Sequence, residues 1–286
     1  MPDPSGVPAA AGPPDAATVA RFVAARDRVL GAVADACARS DRDPAGVTLV
    51  AVSKTVGAWH LRAAVAAGLT TLGENRVSEA EAKVAAVPGA RWHMVGPLQA
   101  NKARRAVAVF DVIESVDSIA LAVRLDRLAG ELRPGRPLPV LLQVNVDADP
   151  AKCGFEPDDL AAALPALVVL PNLELLGLMT VGRVVATAEE ARSTFQALRA
   201  LSERLRAPAP RAALAGAAAA QARAARGLGP ALSMGMSADF PVAIEEGATL
   251  VRVGRALFGE RPRVRAADLA HVPGRPGGPA PAIDGA

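Results

Sequence analysis

The stretch VTLVAVSKTVGAWHLRAAVAAGLTTLGENRVSEAEAKVAA, residues 47–86, contains two strand-like runs that are each followed by a helix-like run. The apolar runs at 47–52 and 70–72 are short and contain several β-branched residues, which predicts strands. Helical periodicity follows each of them, at 59–67 and at 78–86. Near-continuous apolar strands that alternate with helices are typical of a parallel sheet covered on both faces.

The same alternation continues outward from this stretch. It predicts eight strands, at 47–52, 70–72, 92–95, 109–113, 139–144, 173–179, 231–234 and 250–253. It also predicts a first helix at 15–39 and later ones at 59–67, 78–86, 118–133, 158–168, 188–206 and 256–258. Eight strand-to-helix units indicate an α/β protein with a single closed (β/α)8 barrel of the TIM type. An open, doubly wound sheet is the alternative, but no Gly-rich dinucleotide fingerprint follows the first strand.

The two ends of the chain differ in composition from the region between them. Residues 1–14 contain five prolines, and residues 262–286 contain five prolines and four glycines, so both are predicted to be disordered tails. The barrel is therefore expected at 15–261, close to the roughly 250 residues typical of the fold. Residues 207–230 contain twelve alanines, three arginines and no acid, which predicts a solvated insertion; a basic docking arm is the alternative.

Composition excludes several classes of protein. The chain has 32 Lys plus Arg and 29 Asp plus Glu, a formal charge of +3 that is too small to indicate nucleic-acid binding. It has neither a membrane-spanning apolar run nor a signal-peptide pattern at its start. Cys37 and Cys153 lack metal-ligand neighbours, and we expect each to be a small core residue. A reducing, cytoplasmic location fits this cysteine content.

Polar residues follow the predicted strands, at the end where barrel active sites form. Lys54 follows the apolar run of the first strand, with only Ser53 between them, at the lip of the predicted barrel. Removal from water disfavours the ammonium form and lowers the amine pKa, as attack on an aldehyde requires. Taken alone, Lys54 is better explained as an exposed lysine at a strand end; the other polar residues at the same rim favour the Schiff-base lysine.

The last two strands are followed by small residues that suit an anion. The sequence SMGMS at 233–237 and Gly254 allow backbone N–H groups to approach a phosphate, and Ser237 adds a hydroxyl at the start of a helix containing Asp239. A phosphate cradle opposite a nucleophilic lysine matches pyridoxal 5′-phosphate (PLP), which has an aldehyde at one end and a phosphate at the other. Arg252 lies between the two and is placed to face the ring nitrogen; the alternative is an ion pair outside the barrel.

These residues lie within longer motifs that resemble the pyridoxal phosphate homeostasis protein family, whose barrel is similar to the N-terminal domain of alanine racemases. The matching motifs are LVAVSKT (49–55), LGENRVSE (72–79), WHMVGPLQANKAR (92–104), IESVDS (113–118), LLQVNV (141–146), LGLMTV (176–181), LSMGMSADF (232–240) and VRVGRALFGER (251–261). The resemblance implies that PLP is held as a reversible Schiff base on Lys54. It implies a cofactor pocket formed by Asn75, His93, Met236, Ser237, Arg252, Gly254 and Arg255, with no metal.

Two positions depart from the family pattern. Arg255 stands where the family usually has Thr or Ser, so its side chain either contacts the phosphate through its charge or swings outward. Arg76 stands where an aromatic residue is common.

The resemblance implies a role in vitamin B6 and PLP homeostasis, with effects on amino-acid pools, rather than an established catalytic activity. Racemisation needs an acid/base group on each face of the substrate carbon, and the chain contains no tyrosine to act opposite a lysine. We also expect no second domain after residue 261. His93 is a candidate second base, although a histidine in an apolar strand is more often structural.

We therefore predict a monomeric PLP carrier whose partners are PLP and, by exchange, PLP-dependent apoenzymes and free amino acids. The alternatives are a PLP-dependent amino-acid racemase or lyase, and a cofactor-free aldolase that uses a lysine Schiff base.

Overall fold

Eight parallel strands form a closed barrel in a computed structural model of the chain, which describes residues 13–207 and 227–259. Each strand pairs with the next along the chain, and the first pairs with the last through the register Val50 to Arg252. The strands are β1 Thr48–Val52, β2 Thr71–Glu74, β3 Arg91–Met94, β4 Val112–Val116, β5 Leu138–Gln143, β6 Leu173–Met179, β7 Ala231–Met236 and β8 Leu250–Val253. The predicted closed barrel is confirmed, and the open doubly wound sheet is wrong.

All eight predicted strands are present, and the largest difference in their bounds is at β4. The prediction began this strand at residue 109, whereas Val109 ends the preceding helix and the strand begins at Val112. The segment around Val109 is apolar at both helical and strand spacing, so periodicity alone does not place the boundary. Tertiary packing places it, since Phe110, the C-cap residue of the helix, is buried in the core.

Helices cover the outside of the barrel. Within the described residues they are α1 Ala16–Arg39, α2 Ala58–Ala66, α3 Val77–Val84, α4 Ala103–Val109, α5 Ile119–Leu132, α6 Pro157–Leu167, α7 Arg192–Arg206, α8 Phe240–Glu245 and α9 Arg255–Phe258. Asp15 and Ser118 begin α1 and α5, and their side chains accept hydrogen bonds from the N–H groups of Thr18 and Leu121. Short 3-10 turns occupy Pro44–Gly46, Ala100–Lys102 and Ala188–Ala191.

The N-terminal helix α1 covers the seam where β8 meets β1. The helix that follows β8, α9, has only four residues and is too short to cover two strands. In its place α1 packs against α2, α8 and α9. Its buried face includes Phe22, Val29 and Val33, which recur at helical spacing. The Phe22 ring meets the Phe258 ring edge to face, with 5.7 Å between ring centroids.

The barrel interior is a separate apolar layer. It contains Val50, Val112, Leu141, Met179 and Leu250, each from a different strand, and Val95, which directly follows β3. Because successive side chains of a strand point to opposite faces, Val50 and Val52 point inward whereas Ala51 and Ser53 point outward toward the helices. The same alternation directs Lys54 into the mouth of the barrel.

Several predictions fall wholly or partly outside the described residues. The tails at 1–14 and 262–286 and the insertion at 207–230 do so almost completely, so the domain bounds remain predictions. Cys37 is buried as expected, but Cys153 is exposed, because it lies in the loop between β5 and α6 and not in a core layer; both are free thiols. In the described ranges no helix is long and apolar enough to span a membrane, and no cluster of side chains suits a metal ion.

Candidate functional site

A cavity of about 640 Å³ opens at the carboxyl ends of the strands. Seven of the eight predicted site residues line it: Lys54, Asn75, Met236, Ser237, Arg252, Gly254 and Arg255. The eighth, His93, does not. These predicted residues thus lie at the end of the barrel where β/α barrels carry their active sites.

Lys54 lies at the carboxyl end of β1, on the inward face that Val52 shares. The lysine is half-buried. It separates the main cavity from a neighbouring one of about 370 Å³, which Arg21, His60 and Arg255 also line. The side chain is therefore at the wall of the mouth, with open space on both sides.

The loops after β7 and β8 meet beside Lys54, because β8 pairs with β1. Gly254 N donates a hydrogen bond to Ser237 Oγ over 3.2 Å, which ties the two loops together. Met236 N donates to Asp239 Oδ1 over 2.6 Å, so the carboxylate closes the β7 loop onto itself. Asp239 immediately precedes α8; the expectation that it lies inside the helix is wrong, because its side chain is used by the loop.

Gly235 gives this loop its shape. Its φ is +88°, and a Cβ atom at this position would lie 2.5 Å from the Cβ of Ala243 and 3.0 Å from the Cα of Phe240. Only glycine satisfies both the conformation and the close approach of α8. The SMGMS sequence therefore has a steric reason for its glycine, beyond any contact with an anion.

Arg252 lies inside the barrel, 5% exposed, so the alternative of an ion pair outside the barrel is wrong. Its Nη1 donates to Ser233 Oγ and its Nη2 to the Thr180 carbonyl oxygen, each over 2.6 Å. Burial lowers the pKa of the guanidinium, and the charges of Glu114 and Asp239 oppose that shift. Arginine starts from so high a pKa that it still carries its charge.

His93 lies deeper, where its ring takes part in a buried polar chain. His93 Nδ1 is 2.6 Å from Glu114 Oε1, and Ser233 Oγ donates to Glu114 Oε2 over 2.5 Å. Burial raises the pKa of the Glu114 carboxyl, but the hydrogen bond and charge of His93 and the charge of Arg252 outweigh burial and lower the pKa overall. The structure thus places His93 behind the cavity wall, linked to Arg252 through Glu114 and Ser233.

Asn75 and Met236 complete the walls that the sequence predicted. Asn75 follows β2, and the neighbouring β3 loop packs on its backbone: a Cβ atom at Gly96 would lie 2.6 Å from the Asn75 carbonyl oxygen. Met236 ends β7 and is 39% exposed at the mouth. Both side chains are positioned by strand ends and not by long loops.

Sequence reasoning missed three contributors. Glu114 and Ser233 lie in the motifs IESVDS and SMGMS, but the sequence does not pair them, because their contact depends on closure of the barrel. Arg183 also lines the cavity, in the loop that follows β6. Its signal was the position of the sequence VGR after an apolar strand, the same signal that identified Lys54.

Comparisons with known proteins agree with this geometry. Residues 33–262 match the family model described as alanine racemase, N-terminal domain. The Pyridoxal phosphate homeostasis protein of Pseudomonas aeruginosa is 41% identical over 249 residues, covering 85% of this chain and 96% of that protein. The protein of the same name from Synechocystis is 39% identical over 222 residues, covering 76% of this chain and 93% of that protein.

Solved structures give the same result. PipY of Synechococcus elongatus, in a structure with PLP bound, is 43% identical with a TM-score of 0.64, and the match covers 79% of this chain and all of that one. An alanine racemase from Clostridium difficile is 14% identical with a TM-score of 0.58, covering 82% of this chain and 60% of that one, which shows the shared fold alone. The chain belongs to the pyridoxal phosphate homeostasis protein family, built on the barrel of the alanine racemase N-terminal domain.

Proposed function

We propose that this protein binds PLP reversibly on Lys54 and stores, buffers and delivers it, thereby influencing amino-acid pools. The observation that carries the proposal is that a lysine amine, a buried guanidinium and a small-residue loop line one cavity of about 640 Å³. A relative 43% identical to this chain has been solved with PLP bound.

The residues of the cavity fit the chemical groups of PLP. The loops after β7 and β8, which the hydrogen bond from Gly254 N to Ser237 Oγ links, offer a hydroxyl and backbone N–H groups to a phosphate, and Arg255 adds a positive charge beside them. The cavity lies within the range of about 300–1,000 Å³ usual for small-molecule sites. Lys54, on the wall formed by β1, is the amine available to an aldehyde.

Attachment at Lys54 is a condensation. The neutral Nζ attacks the aldehyde carbon, a C=N bond forms, and the aldehyde oxygen leaves as water after taking up the two amine protons. The reverse reaction with water, or exchange with an incoming amine, releases the cofactor. When bound, PLP supplies an aldehyde group that remains available for transfer to other amines.

Arg252 favours a carrier over a catalyst. Its guanidinium is held by Ser233 and Thr180 and keeps its proton, so a pyridine nitrogen facing it stays unprotonated. An unprotonated pyridine withdraws electrons weakly and stabilises carbanions poorly. Asp239, a carboxylate on the cavity wall, is occupied by the Met236 N–H. These features agree with relatives named as homeostasis proteins.

The test is the absorbance spectrum of the purified protein, followed by borohydride reduction and mass mapping. We expect a reduced pyridoxyl group on Lys54, and loss of the visible absorbance in Lys54→Ala. Lys102→Ala is the matched control, since Lys102 lies on the same rim but outside the 640 Å³ cavity. An unchanged spectrum in Lys54→Ala would overturn the proposal.

We further propose that the recipients are PLP-dependent apoenzymes and free amino acids, and that the protein works as a cytoplasmic monomer. Both free thiols agree with a reducing compartment. Large exposed apolar side chains in the described ranges are spread over α1, α5 and the mouth loops. A single peak of monomer mass in light scattering supports the monomer, and a dimer mass overturns it.

A further inference from the structure

A second lysine, Lys83, is buried behind the strand that carries Lys54. It lies on α3 and is 8% exposed. Its Nζ donates to Glu74 Oε1 over 2.7 Å and to the Ser53 carbonyl oxygen over 3.1 Å. Ser53 Oγ donates to the same Glu74 oxygen over 2.6 Å, which closes a small buried network.

Glu79 lies four residues before Lys83 on α3 and binds the backbone on the other side of Lys54. Its Oε2 accepts a hydrogen bond from Thr55 N over 3.2 Å and lies 3.9 Å from Lys83 Nζ. The two α3 side chains therefore bind the backbone of the residues immediately before and after Lys54.

The backbone held in this way is strained. Thr55 has a φ of +67°, in the left-handed region that β-branched residues rarely adopt. Such a conformation persists only where its surroundings enforce it. If the Thr55 N–H lost its acceptor, rotation of the adjacent peptide would relieve the strain and redirect the Lys54 side chain.

The network lies outside the cavity. Ser53 points toward the helices, and Glu74, Glu79 and Lys83 are absent from the walls of the 640 Å³ cavity. These side chains therefore act on a ligand only through the backbone at Lys54. If these side chains only stabilised the fold, replacing them would leave the rate of PLP attachment at Lys54 unchanged.

We propose that Glu79 and Lys83 are positioning residues that hold Lys54 in its inward orientation and so set the rate of PLP attachment and release. This inference rests on the proposed function. Glu74 neutralises Lys83 in the buried layer, and the i,i+4 spacing of Glu79 and Lys83 brings both onto one face of α3.

The first test compares Glu79→Ala with Glu79→Gln, which restores an acceptor without the charge. We expect Glu79→Ala to slow the absorbance change on mixing with PLP by about tenfold, as loss of a hydrogen bond to a charged acceptor permits. Amide hydrogen exchange at Thr55, measured without PLP, should accelerate by a similar factor. Glu79→Gln should restore most of the wild-type attachment rate and most of the wild-type protection of the Thr55 amide. Glu81→Ala, on the same helix but paired with Arg105, should match the wild type.

The second test removes the lysine. Lys83→Met alone leaves the Glu74 carboxylate buried without its cation and is expected to destabilise the fold. The double variant Lys83→Met/Glu74→Gln removes both charges, and we expect it to fold and to slow attachment. Should it fail to fold, the Glu79 series decides the question by itself.

The two proposals fail in different ways. If wild-type protein carries reduced PLP on a residue other than Lys54, the proposed function is wrong. If PLP is on Lys54 but Glu79→Ala leaves both the attachment rate and the Thr55 exchange unchanged, the positioning role alone is wrong.

Discussion

Arg252 donates a hydrogen bond to Ser233 across 2.6 Å in the barrel interior, and the same serine hydroxyl donates onward to Glu114. Ser233 thereby bridges a buried cation and a buried anion that come from β8 and β4. A single small hydroxyl sets the orientation of the guanidinium at the floor of the proposed PLP site.

Replacing Ser233 with alanine should therefore weaken PLP binding. The variant removes one of two anchors of Arg252 and one donor to Glu114, and we expect a stability loss of about 1.5–3 kcal/mol. The dissociation constant for PLP, from a spectral titration, should rise several-fold. Ser115→Ala is the control, because that buried hydroxyl has no hydrogen-bond partner among residues 13–207 and 227–259. Equal behaviour of the two variants would contradict the bridging role.

Arg255 provides a test of how the phosphate is held. We expect Arg255→Thr, which restores the residue type usual in the family, to weaken PLP binding by up to about fivefold at low salt, since an exposed charge pair contributes up to roughly 1 kcal/mol. The salt dependence of the affinity should also decrease. Pyridoxal, which lacks the phosphate, should bind both proteins alike. A side chain that points away from the phosphate would leave the PLP affinity unaltered.

Glu114 should make the stability of the fold depend on acid pH. Its folded-state pKa lies below the ordinary 4.5, so its contribution is present above pH 4.5 and is lost as the pH falls through the folded value. Glu114→Leu, which leaves His93 and Arg252 without their carboxylate, should cost about 3–5 kcal/mol in urea unfolding at neutral pH.

The difference in the free energy of unfolding between the wild type and Glu114→Leu should decrease steadily below pH 4.5. Glu189→Gln is the comparison, since Glu189 also has a lowered pKa but is an exposed partner of Arg192. We expect that variant to follow the wild-type acid curve closely. A difference in the free energy of unfolding between wild type and Glu114→Leu that stayed constant at all pH values would refute the lowered pKa of Glu114.

The seam helix α1 should carry a large share of the stability. Phe22 is buried against Phe258, and Phe22→Ala should lower the free energy of unfolding by about 3–5 kcal/mol. Leu30→Ala, at an exposed position of the same helix, should change it by no more than about 0.5 kcal/mol. If the two variants had the same urea midpoint, α1 would be only loosely attached to the barrel.

The position of Lys54 follows from local sequence. The strand pattern places it on the face shared by Val50 and Val52, and the rule for barrels places strand ends at the active site. Ser237 and Gly254 follow in the same way, because the loops after the last two strands are short.

The rest depends on which elements approach one another in three dimensions. Glu114 meets Ser233 and Arg252 only because the barrel closes, and no local pattern pairs residues 119 positions apart. Glu79 and Lys83 read as ordinary charges on an amphipathic helix until α3 packs against the turn at Lys54. The boundary of β4 also required packing, since Val109 suits either a helix or a strand.

Ring closure also fixes when the proposed site comes into being during folding. Lys54 belongs to the first strand, whereas Ser237 and Gly254 follow the last two, and the seam between them is sealed by a helix from the very start of the described chain. The pairing of β1 with β8 joins residues that are about 200 positions apart in sequence. Such distant contacts form late in folding because they require the greatest loss of chain entropy. A nascent chain therefore contains Lys54 well before it has formed the loops proposed to hold a phosphate, so the proposed site is complete only once the barrel has closed.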